Sequence, residues 1–533
     1  MPSGEAKRRR SPAVEPDYLA ALPPEIVDNI ISRLGVRDVV RTSVLSHAWR
    51  RRWRSVRGLD LDFRSSDPAA AISSVLKRSA APVRTVTLRV PRRWFHRAVR
   101  WLRLLPRKRV QSLHLYFEMI SIIEGKHNLD PSIFSCLELS SLSLAGCTFP
   151  PPQPPSFVGF LKLTKLSLSE VELPPHGERQ LEAMIAASPL LLELSLDNVH
   201  SFHHSEVWFV RGPNIRSLRI WAVDQDFGCR IGELPRLEDA VIFLDSEVTT
   251  QVLCKTLEGI AHVESLDFNA LMHQPPSFVG FLKLTKLSLS EVELPPHGER
   301  QLEAMIAASP LLLELSLDNV HSFHHSEVWF VRGPNIRSLR IWAVDQDFGC
   351  RIGELPRLED AVIFLDSEVT TQVLCKTLEG IAHVESLDFN ALMHQFSDNP
   401  PERFSFTFQN LRSLDLHACL DQISSTSLVF SILRCAPNLE KLEIEWMMEL
   451  SKDSQMRKQA TTFSLDFDVW LHSISCSSNE MCFIKFVLSK ARSLEQLRVR
   501  VTSSGIPSYQ EACIEMAKYK RASPLARLRF IRG

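Results

Sequence analysis

Long apolar runs are missing from this 533-residue chain, since no stretch of about 18 residues, the length of a membrane-spanning helix, is predominantly apolar. We therefore expect no membrane partner and an intracellular protein, in the nucleus, the cytoplasm or both. An excess of one charge is also missing, because 62 Lys and Arg residues balance 62 Asp and Glu residues. This balance excludes attraction of nucleic acid by bulk charge, so we expect no nucleic-acid partner.

Motifs that carry chemistry are missing as well. The eleven cysteines include no C-x-x-C pair, which argues against a zinc ribbon or a redox pair and favours reduced core thiols. The sequence contains no H-E-x-x-H, G-x-S-x-G or phosphate-loop motif. His203-His204 and His324-His325 are adjacent pairs that cannot share one helical face, so surface loops are favoured over metal ligands. We expect no catalytic residue, no metal and no cofactor.

An internal duplication is the largest feature that is present. Pro154 to Gln274 recurs as Pro275 to Gln395 with identity at all 121 positions. Such identity indicates either a very recent tandem duplication or an error in gene assembly, and both alternatives remain open. Without the second copy the chain has 412 residues, so the composition totals count this segment twice.

A shorter pattern repeats inside the duplicated unit: an apolar residue, two others, an apolar residue, one other and an apolar residue. It begins with Leu163-x-x-Leu166-x-Leu168 and recurs at spacings of 28, 24, 22, 26 and 21 residues, which together equal the 121-residue offset. Repeats of 20 to 29 residues with this pattern are typical of leucine-rich repeats. The duplication therefore contains five whole repeats, and an insertion of whole repeats preserves the stacking register of a solenoid.

The same pattern extends on both sides of the duplication, from Val83-x-x-Val86-x-Leu88 to Leu439-x-x-Leu442-x-Ile444. Alternation at the L-x-L centre predicts a short strand that places two apolar residues in the core and the intervening residue outside. Segments such as 177–188 predict short helices between the strands. The fold class is therefore an α/β repeat solenoid with an irregular leucine-rich-repeat array over residues 80–450.

The N-terminal 60 residues have a different character. Residues 1–16 are polar and Pro-rich and predict a disordered tail, whose basic run Lys7-Arg8-Arg9-Arg10 fits a nuclear import signal or a solvated terminus equally well. From Leu22 to Leu34 an apolar stripe at Ile26, Ile30, Ile31 and Leu34 predicts a helix. Two more short helices are predicted at 37–42 and 46–54, the latter capped by Ser46. A unit this small buries little apolar surface, so we expect it to be stabilised by packing against a partner or against the repeats.

This segment resembles the F-box of plant F-box/leucine-rich-repeat proteins. The resemblance covers residues 19–58, within a domain at 17–60, and rests on Leu22-Pro23-x-Glu25-Ile26-x-x-x-Ile30-x-x-x-Leu34 and on Asp38 to Trp53. Gly35, where relatives often have Pro, and His47-Ala48 depart from the family pattern. The resemblance implies binding to a Skp adaptor by Leu22, Pro23, Ile26, Ile30, Leu34, Val44, Leu45, Trp49 and Trp53.

The C-terminal region, residues 455–533, is similar to the FBD domain that follows the repeats in plant F-box proteins. The similarity rests on Phe483 to Leu488, Leu494 to Leu497 and Arg521 to Leu528. From the residues alone we expect one strand at 498–501 and a helix at 508–521, which would cap the open end of the array.

The resemblance implies a substrate-recognition subunit of a Skp-cullin-F-box ubiquitin ligase, not itself an enzyme, linked through the adaptor to a cullin and a RING subunit. The repeats would bind a protein target of unknown identity, so catalysis would arise from proximity. The alternative is a leucine-rich-repeat binding scaffold that acts outside a ubiquitin ligase.

Outward strand residues of the array are the predicted target-binding set, because solenoids bind through their concave sheet. For Trp221 and its duplicate Trp342, packing between repeats is favoured over a ligand-facing position. The candidate target-binding residues are Lys165, Ser167, Ser195, Asp197, Arg219, Trp221, Asp415 and Glu443.

Overall fold

A computed structural model gives the conformation of most of the chain. It describes residues 22–42, 49–54, 56, 58–118, 126–150, 157, 159–201, 208–222, 229–248, 257–272, 281–294, 298–322, 329–343, 350–365, 370–390, 403–418, 423–446, 468–474, 476, 478–491, 494–501 and 509–532. The chain divides into two units, Met1–Arg236 and Leu237–Gly533, each described separately below.

Unit 1 contains the N-terminal helices and a parallel sheet. Seven strands pair side by side in the order β1-β2-β3-β5-β7-β8-β10, and every pairing is parallel. Its described helices and strands are α1 Pro24–Ser32, α2 Val36–Arg41, β1 Leu59–Phe63, α3 Ala69–Arg78, β2 Val83–Val90, α4 Phe95–Leu102, β3 Ser112–Phe117, β4 His127–Asn128, β5 Ser141–Ala145, β6 Cys147–Thr148, β7 Lys165–Ser169, α5 Gly177–Ala186, β8 Glu193–Asp197, β9 Trp208–Val210, β10 Ser217–Ala222 and β11 Cys229–Ile231.

Unit 2 continues the same pattern within its own sheet. Twelve strands pair in parallel in the order β12-β13-β14-β16-β19-β21-β22-β23-β24-β25-β26-β27. Its described elements are β12 Asp239–Val248, β13 Ser265–Met272, β14 Lys286–Ser290, β15 Glu293–Leu294, α6 Gly298–Ala307, β16 Glu314–Asp318, β17 His321–Ser322, β18 Trp329–Val331, β19 Ser338–Ala343, β20 Cys350–Ile352, β21 Asp360–Leu365, α7 Thr371–Gly380, β22 Ser386–Asn390, β23 Ser413–Ala418, α8 Ile423–Cys435, β24 Lys441–Trp446, β25 Asp468–Ile474, α9 Ser478–Lys490, β26 Gln496–Val501, α10 Tyr509–Ala517 and β27 Arg527–Arg532.

The repeat pattern forms the core, as the leucine spacing predicts. Leu166 and Leu168 on β7 are buried, whereas Ser167 between them is partly exposed. A repeat strand such as β7 has only two inward residues, so a single repeat cannot bury its apolar face alone and depends on its neighbours. Helices such as α5 cover the inner residues with Leu181, Met184 and Ile185. The prediction of an α/β leucine-rich-repeat solenoid is confirmed.

The strands on either side of each copy boundary are in register. Leu142 of β5 pairs with Leu166 of β7 where the first copy begins. Between the copies, β13 pairs with β14, and after the second copy Leu387 of β22 pairs with Leu414 of β23. Because inward residues meet inward residues at each boundary, the duplication adds whole repeats without moving any strand to the wrong face.

The sheet extends beyond the limits predicted for the array. Strand β1 precedes residue 80, and β25, β26 and β27 follow residue 450 by successive parallel pairing from β24. The expectation of one C-terminal strand and one helix is therefore too simple, because residues 468–532 add three strands and two helices. The run Phe483 to Leu488 lies on α9, where Phe483, Ile484, Val487 and Leu488 are buried.

The third N-terminal helix is shorter than expected. It is a 3-10 turn at Trp49–Arg54, and the predicted cap Ser46 lies outside the described residues. Helix α1 packs against this turn and against β1, and α2 also packs against β1. The N-terminal helices thus pack against β1, the first strand of the array. Units this small need such packing to be stable.

Candidate protein-interaction surfaces

Helix α1 has two apolar sides, and only one of them is used by the fold. Val27 and Ile31, four residues apart, are buried against the rest of unit 1. Ile26 and Ile30 are also four residues apart but are 48% and 39% exposed. Pro23, at the N-cap, is exposed beside them. A helix that keeps large aliphatic residues in water on one side presents a docking surface.

We call the exposed set Pro23, Ile26 and Ile30 the α1 face. Val40 of α2 is 40% exposed and was not among the sequence candidates. Leu22 and Leu34 are half-buried at the two ends of α1. Val44 and Leu45 lie outside the described residues.

Trp49 and Trp53, which the resemblance assigns to adaptor binding, are buried in the free chain. Their side chains are only 3% and 4% exposed, so they lie in the core behind α1 and do not line the α1 face. Two buried indoles give α1 a rigid support, because large aromatic side chains contribute much of the packing energy of a small unit.

An ion pair holds α2 to the loop after β1. The guanidinium of Arg37 donates to the Asp67 carboxylate, which also accepts a 2.9 Å hydrogen bond from the backbone amide of Arg64. Burial opposes ionisation of Asp67, but these hydrogen bonds outweigh it and lower its pKa. The charged pair therefore fixes the position of the N-terminal helices on the first repeat.

The predicted target-binding residues of unit 1 come together on the outward side of β7, β8 and β10. Lys165 pairs in register with Glu193, and their charged atoms lie 2.6 Å apart. Ser167, Ser195 and Arg219 form the next row of register partners. Asp197 accepts a 2.8 Å hydrogen bond from Ser169. This surface is polar and of mixed charge.

Trp221 is register partner to Asp197 and is 43% exposed. Its duplicate Trp342 is 36% exposed and stacks on Phe364 of the next strand, with centroids 5.1 Å apart and planes 18° apart. Packing between repeats therefore accounts for only part of the position of these two tryptophans. Both indoles lie in the outward row, and Trp342 packs against a neighbour within that row.

The predicted residues of unit 2, Asp415 and Glu443, are register partners on β23 and β24. Asp388 of β22 precedes them in the same row. His417 lies between carboxylates, with its ring nitrogens 3.4 Å from Asp388 and 3.3 Å from Glu445. Sequence reasoning missed Asp388 and His417 as candidates, although counting outward positions from each L-x-L centre would have found both.

Electrostatics within this row favour a cation. Burial, together with the nearby Asp388 and Glu443 carboxylates, raises the pKa of Asp415. The Asp388 contact, with help from Asp415 and Glu445, raises the pKa of His417 against the opposing effect of burial. Ligand-type atoms of Asp388, Asp415 and His417 lie within 4.8 Å of one another and are of the types that bind divalent metals. A protonated His417 supplies positive charge to the same carboxylates.

These features define a leucine-rich-repeat protein with a small N-terminal helical unit, and comparison with known proteins agrees. A model of the F-box domain matches residues 19–60. A model of the LRR repeats of the FBD-associated F-box protein At5g56370 matches residues 98–269 and 249–444. The chain belongs to the plant family of FBD-associated F-box/leucine-rich-repeat proteins. F-box proteins generally act as substrate adaptors of Skp-cullin-F-box ubiquitin ligases, and those with leucine-rich repeats are typically non-catalytic.

Several relatives come from Arabidopsis thaliana. F-box/FBD/LRR-repeat protein At1g13570 is 31% identical over 215 residues, which is 38% of this chain and 48% of that protein. FBD-associated F-box protein At1g60410 is 29% identical over 38% of this chain and 51% of that protein. F-box/LRR-repeat protein At3g26922 is 23% identical over 47% of this chain and 90% of that protein. This chain spans about half the length of the first two relatives.

Among solved structures, the chain resembles that of a TLR13–ssRNA13 complex at a TM-score of 0.44 and 12% identity, over 84% of this chain and 62% of that chain. A likeness of this size says nothing about a shared ligand. Within the described part of the chain, every helix is too short or too polar to cross a membrane.

Proposed function

We propose that this chain is a substrate-recognition subunit of a Skp-cullin-F-box ubiquitin ligase. The F-box binds the Skp adaptor, and through it the cullin and the RING subunit, while the repeats hold a protein target. The exposed Ile26 and Ile30 on a helix whose opposite side is fully packed are the observation that carries this proposal. A few central apolar residues usually supply most of the energy of such an interface.

The chain contributes position to the reaction and no reacting group. Within a tethered complex the target is held near the ubiquitin-charged enzyme, and this raises its effective concentration. We therefore expect ubiquitin transfer only when adaptor, cullin, RING subunit and conjugating enzyme are all present. Transfer with activating and conjugating enzymes alone would contradict the proposal.

Adaptor binding is tested with a double variant of the α1 face. Ile26→Asp with Ile30→Asp places two charges in the apolar contact and should abolish pull-down of the Skp adaptor by the full chain. Leu161→Asp is the matched control, because Leu161 is 58% exposed in a repeat turn of the same unit. It should leave pull-down unchanged. Undiminished pull-down by the double variant, with circular dichroism intact, would favour a binding scaffold that acts outside a ligase.

A further inference from the structure

The outward face of unit 2 changes its chemistry along the sheet. After β12, β13, β14 and β16 it carries the aromatic pair Trp342 and Phe364 on β19 and β21. Next come β22, β23 and β24, whose outward positions hold the four carboxylates Asp388, Asp415, Glu443 and Glu445. We call these three strands the acidic zone.

Positive charge within the acidic zone is insufficient to balance it. Lys441 lies 2.7 Å from Glu443, and His417 lies between Asp388 and Glu445. His472 of β25 also lies 3.6 Å from Glu443. Even with both histidines protonated, three cations face four carboxylates among the described residues. Asp415 sits in the middle of its row, flanked by Asp388 and Glu443, and is half-buried. Like charges on adjacent strands are destabilising unless an opposite charge approaches them.

The strands that follow carry the opposite charge. The outward positions of β26 and β27 include Arg498, Arg500, Arg527 and Arg529, and Arg498 is the register partner of Arg529. We call these two strands the basic zone. Trp470 of β25 lies between the zones, and the Arg498 guanidinium lies 4.1 Å from the centre of its ring. The two zones thus face the same side of one sheet, with an aromatic residue between them.

We propose that the acidic and basic zones together bind a charge-segregated segment of the target protein. Lys or Arg residues of that segment lie over β22 to β24, and its Asp or Glu residues lie over β26 and β27. The proposal rests on the ligase function above and specifies the class of target that the repeats accept. Charge complementarity of this kind determines specificity and register more than affinity.

Strand spacing sets the length of the segment. Neighbouring strands lie about 4.8 Å apart, so β23 and β26 are separated by roughly 14 Å. An extended peptide rises about 3.3 Å per residue, so four to five residues bridge the centres of the zones. The octapeptide Lys-Lys-Lys-Gly-Gly-Glu-Glu-Glu fits this spacing. A peptide of the same composition in the alternating order Lys-Glu-Gly-Lys-Glu-Gly-Lys-Glu has the same net charge without the segregation.

The duplication supplies a control residue inside the protein. Asp267 and Asp388 are the same residue in the two copies, each in the outward row. Asp267 has Ser288 as its register partner on the following strand, whereas Asp388 has Asp415. We call the row of register partners Asp388, Asp415 and Glu443 the acidic row. Charge reversal at Asp267 therefore repeats the chemical change of Asp388→Lys at a place that lacks this row.

The experiment measures fluorescence anisotropy of the labelled octapeptides with the full chain at 0.05 M and 0.15 M salt. We expect the segregated peptide to bind at least fivefold more tightly than the alternating one. Asp388→Lys and Arg529→Glu should each weaken its binding about tenfold, while Asp267→Lys should change it less than twofold. Arg529 is exposed, so its variant keeps the test valid if Asp388→Lys fails to fold.

Other outcomes overturn the proposal. Equal binding of the two peptides, or equal loss on Asp267→Lys and Asp388→Lys, would show that charge segregation is not recognised. Stoichiometric Zn²⁺ binding that blocks the peptide and is lost in His417→Ala would assign the acidic row to a metal instead. No adaptor is present in this experiment, so its failure is distinct from failure of adaptor pull-down.

Discussion

Ile26 and Ile31 lie on opposite sides of the nine-residue helix α1, and their exposures are 48% and 0%. One isoleucine is thus available to a partner and the other is part of the core. A helix so short must be held by packing, since its intrinsic stability is marginal.

Truncation of these two residues should separate the two roles. Ile31→Ala should lower the free energy of unfolding of the N-terminal helices by about 2–5 kcal/mol, because it leaves a cavity in the core. Ile26→Ala should change it by less than about 0.5 kcal/mol, as expected of an exposed position. Hydrogen–deuterium exchange of the backbone amides of α1, followed by mass spectrometry, measures both. Equal losses would show that Ile26 is packed in solution.

Deletion of the second copy should leave a folded protein. Without residues 275–395, β13 would pair with β23 in the way that its identical duplicate β22 does now. We expect the 412-residue variant to be soluble and to unfold cooperatively by circular dichroism. Deletion of 275–383 is the control, because it leaves four residues between β13 and β22, too few for a parallel crossover. Aggregation of both variants would contradict the register argument.

Gly159 is a position where glycine is required. Its φ is +100°, and an added Cβ would lie 2.1 Å from the carbonyl oxygen of Ala187. Gly159→Ala should therefore lower the free energy of unfolding by about 3 kcal/mol. Gly58 also has a positive φ, of +72°, but open space around it, so Gly58→Ala should cost only about 1 kcal/mol. Thermal denaturation compares them, and similar losses would show that the contact with Ala187 is relaxed.

His417 should make stability depend on pH. Its pKa is raised from 6.5 in the folded chain by Asp388, Asp415 and Glu445, so the folded state binds this proton more tightly than the unfolded state. The resulting stabilisation is fully present below pH 6.5 and is lost as pH rises through the folded-state pKa. The melting temperature of His417→Gln should thus fall furthest below that of the parent at pH 5.5. A larger melting-temperature difference between His417→Gln and the parent at pH 8.5 than at pH 5.5 would contradict this prediction.

Thiol reactivity should follow burial. Cys136 and Cys147 are buried, and burial raises the pKa of each to about 12, so little thiolate is present at neutral pH. Cys482 is exposed on α9. In the native protein, iodoacetamide should modify Cys482 at least tenfold faster than Cys136 or Cys147, as followed by peptide mass mapping. Comparable rates would show that unit 1 opens readily.

The sequence determines the repeats almost completely, because L-x-L alternation marks both the strand and its inward face. It predicts β7 from Leu166 and Leu168 without any tertiary information. The division of the apolar residues of α1 is harder to predict, since Ile26 and Ile31 are chemically alike and only packing against β1 and the 3-10 turn decides which is buried. The acidic row is also invisible along the chain, because Asp388 and Asp415 are neighbours only through strand pairing.

Identity of the two copies has a consequence for stoichiometry. Three predicted target-binding residues have duplicates in the second copy: Lys165, Arg219 and Trp221 correspond to Lys286, Arg340 and Trp342. A target that recognises these side chains would therefore find two equivalent binding sites, and binding would saturate at two target molecules per chain. Within the described residues, the row of Asp388, Asp415 and Glu443 exists once, at the place where copied and unique sequence meet. A target that binds there would saturate at one, so a titration endpoint identifies which part of the sheet a given target uses.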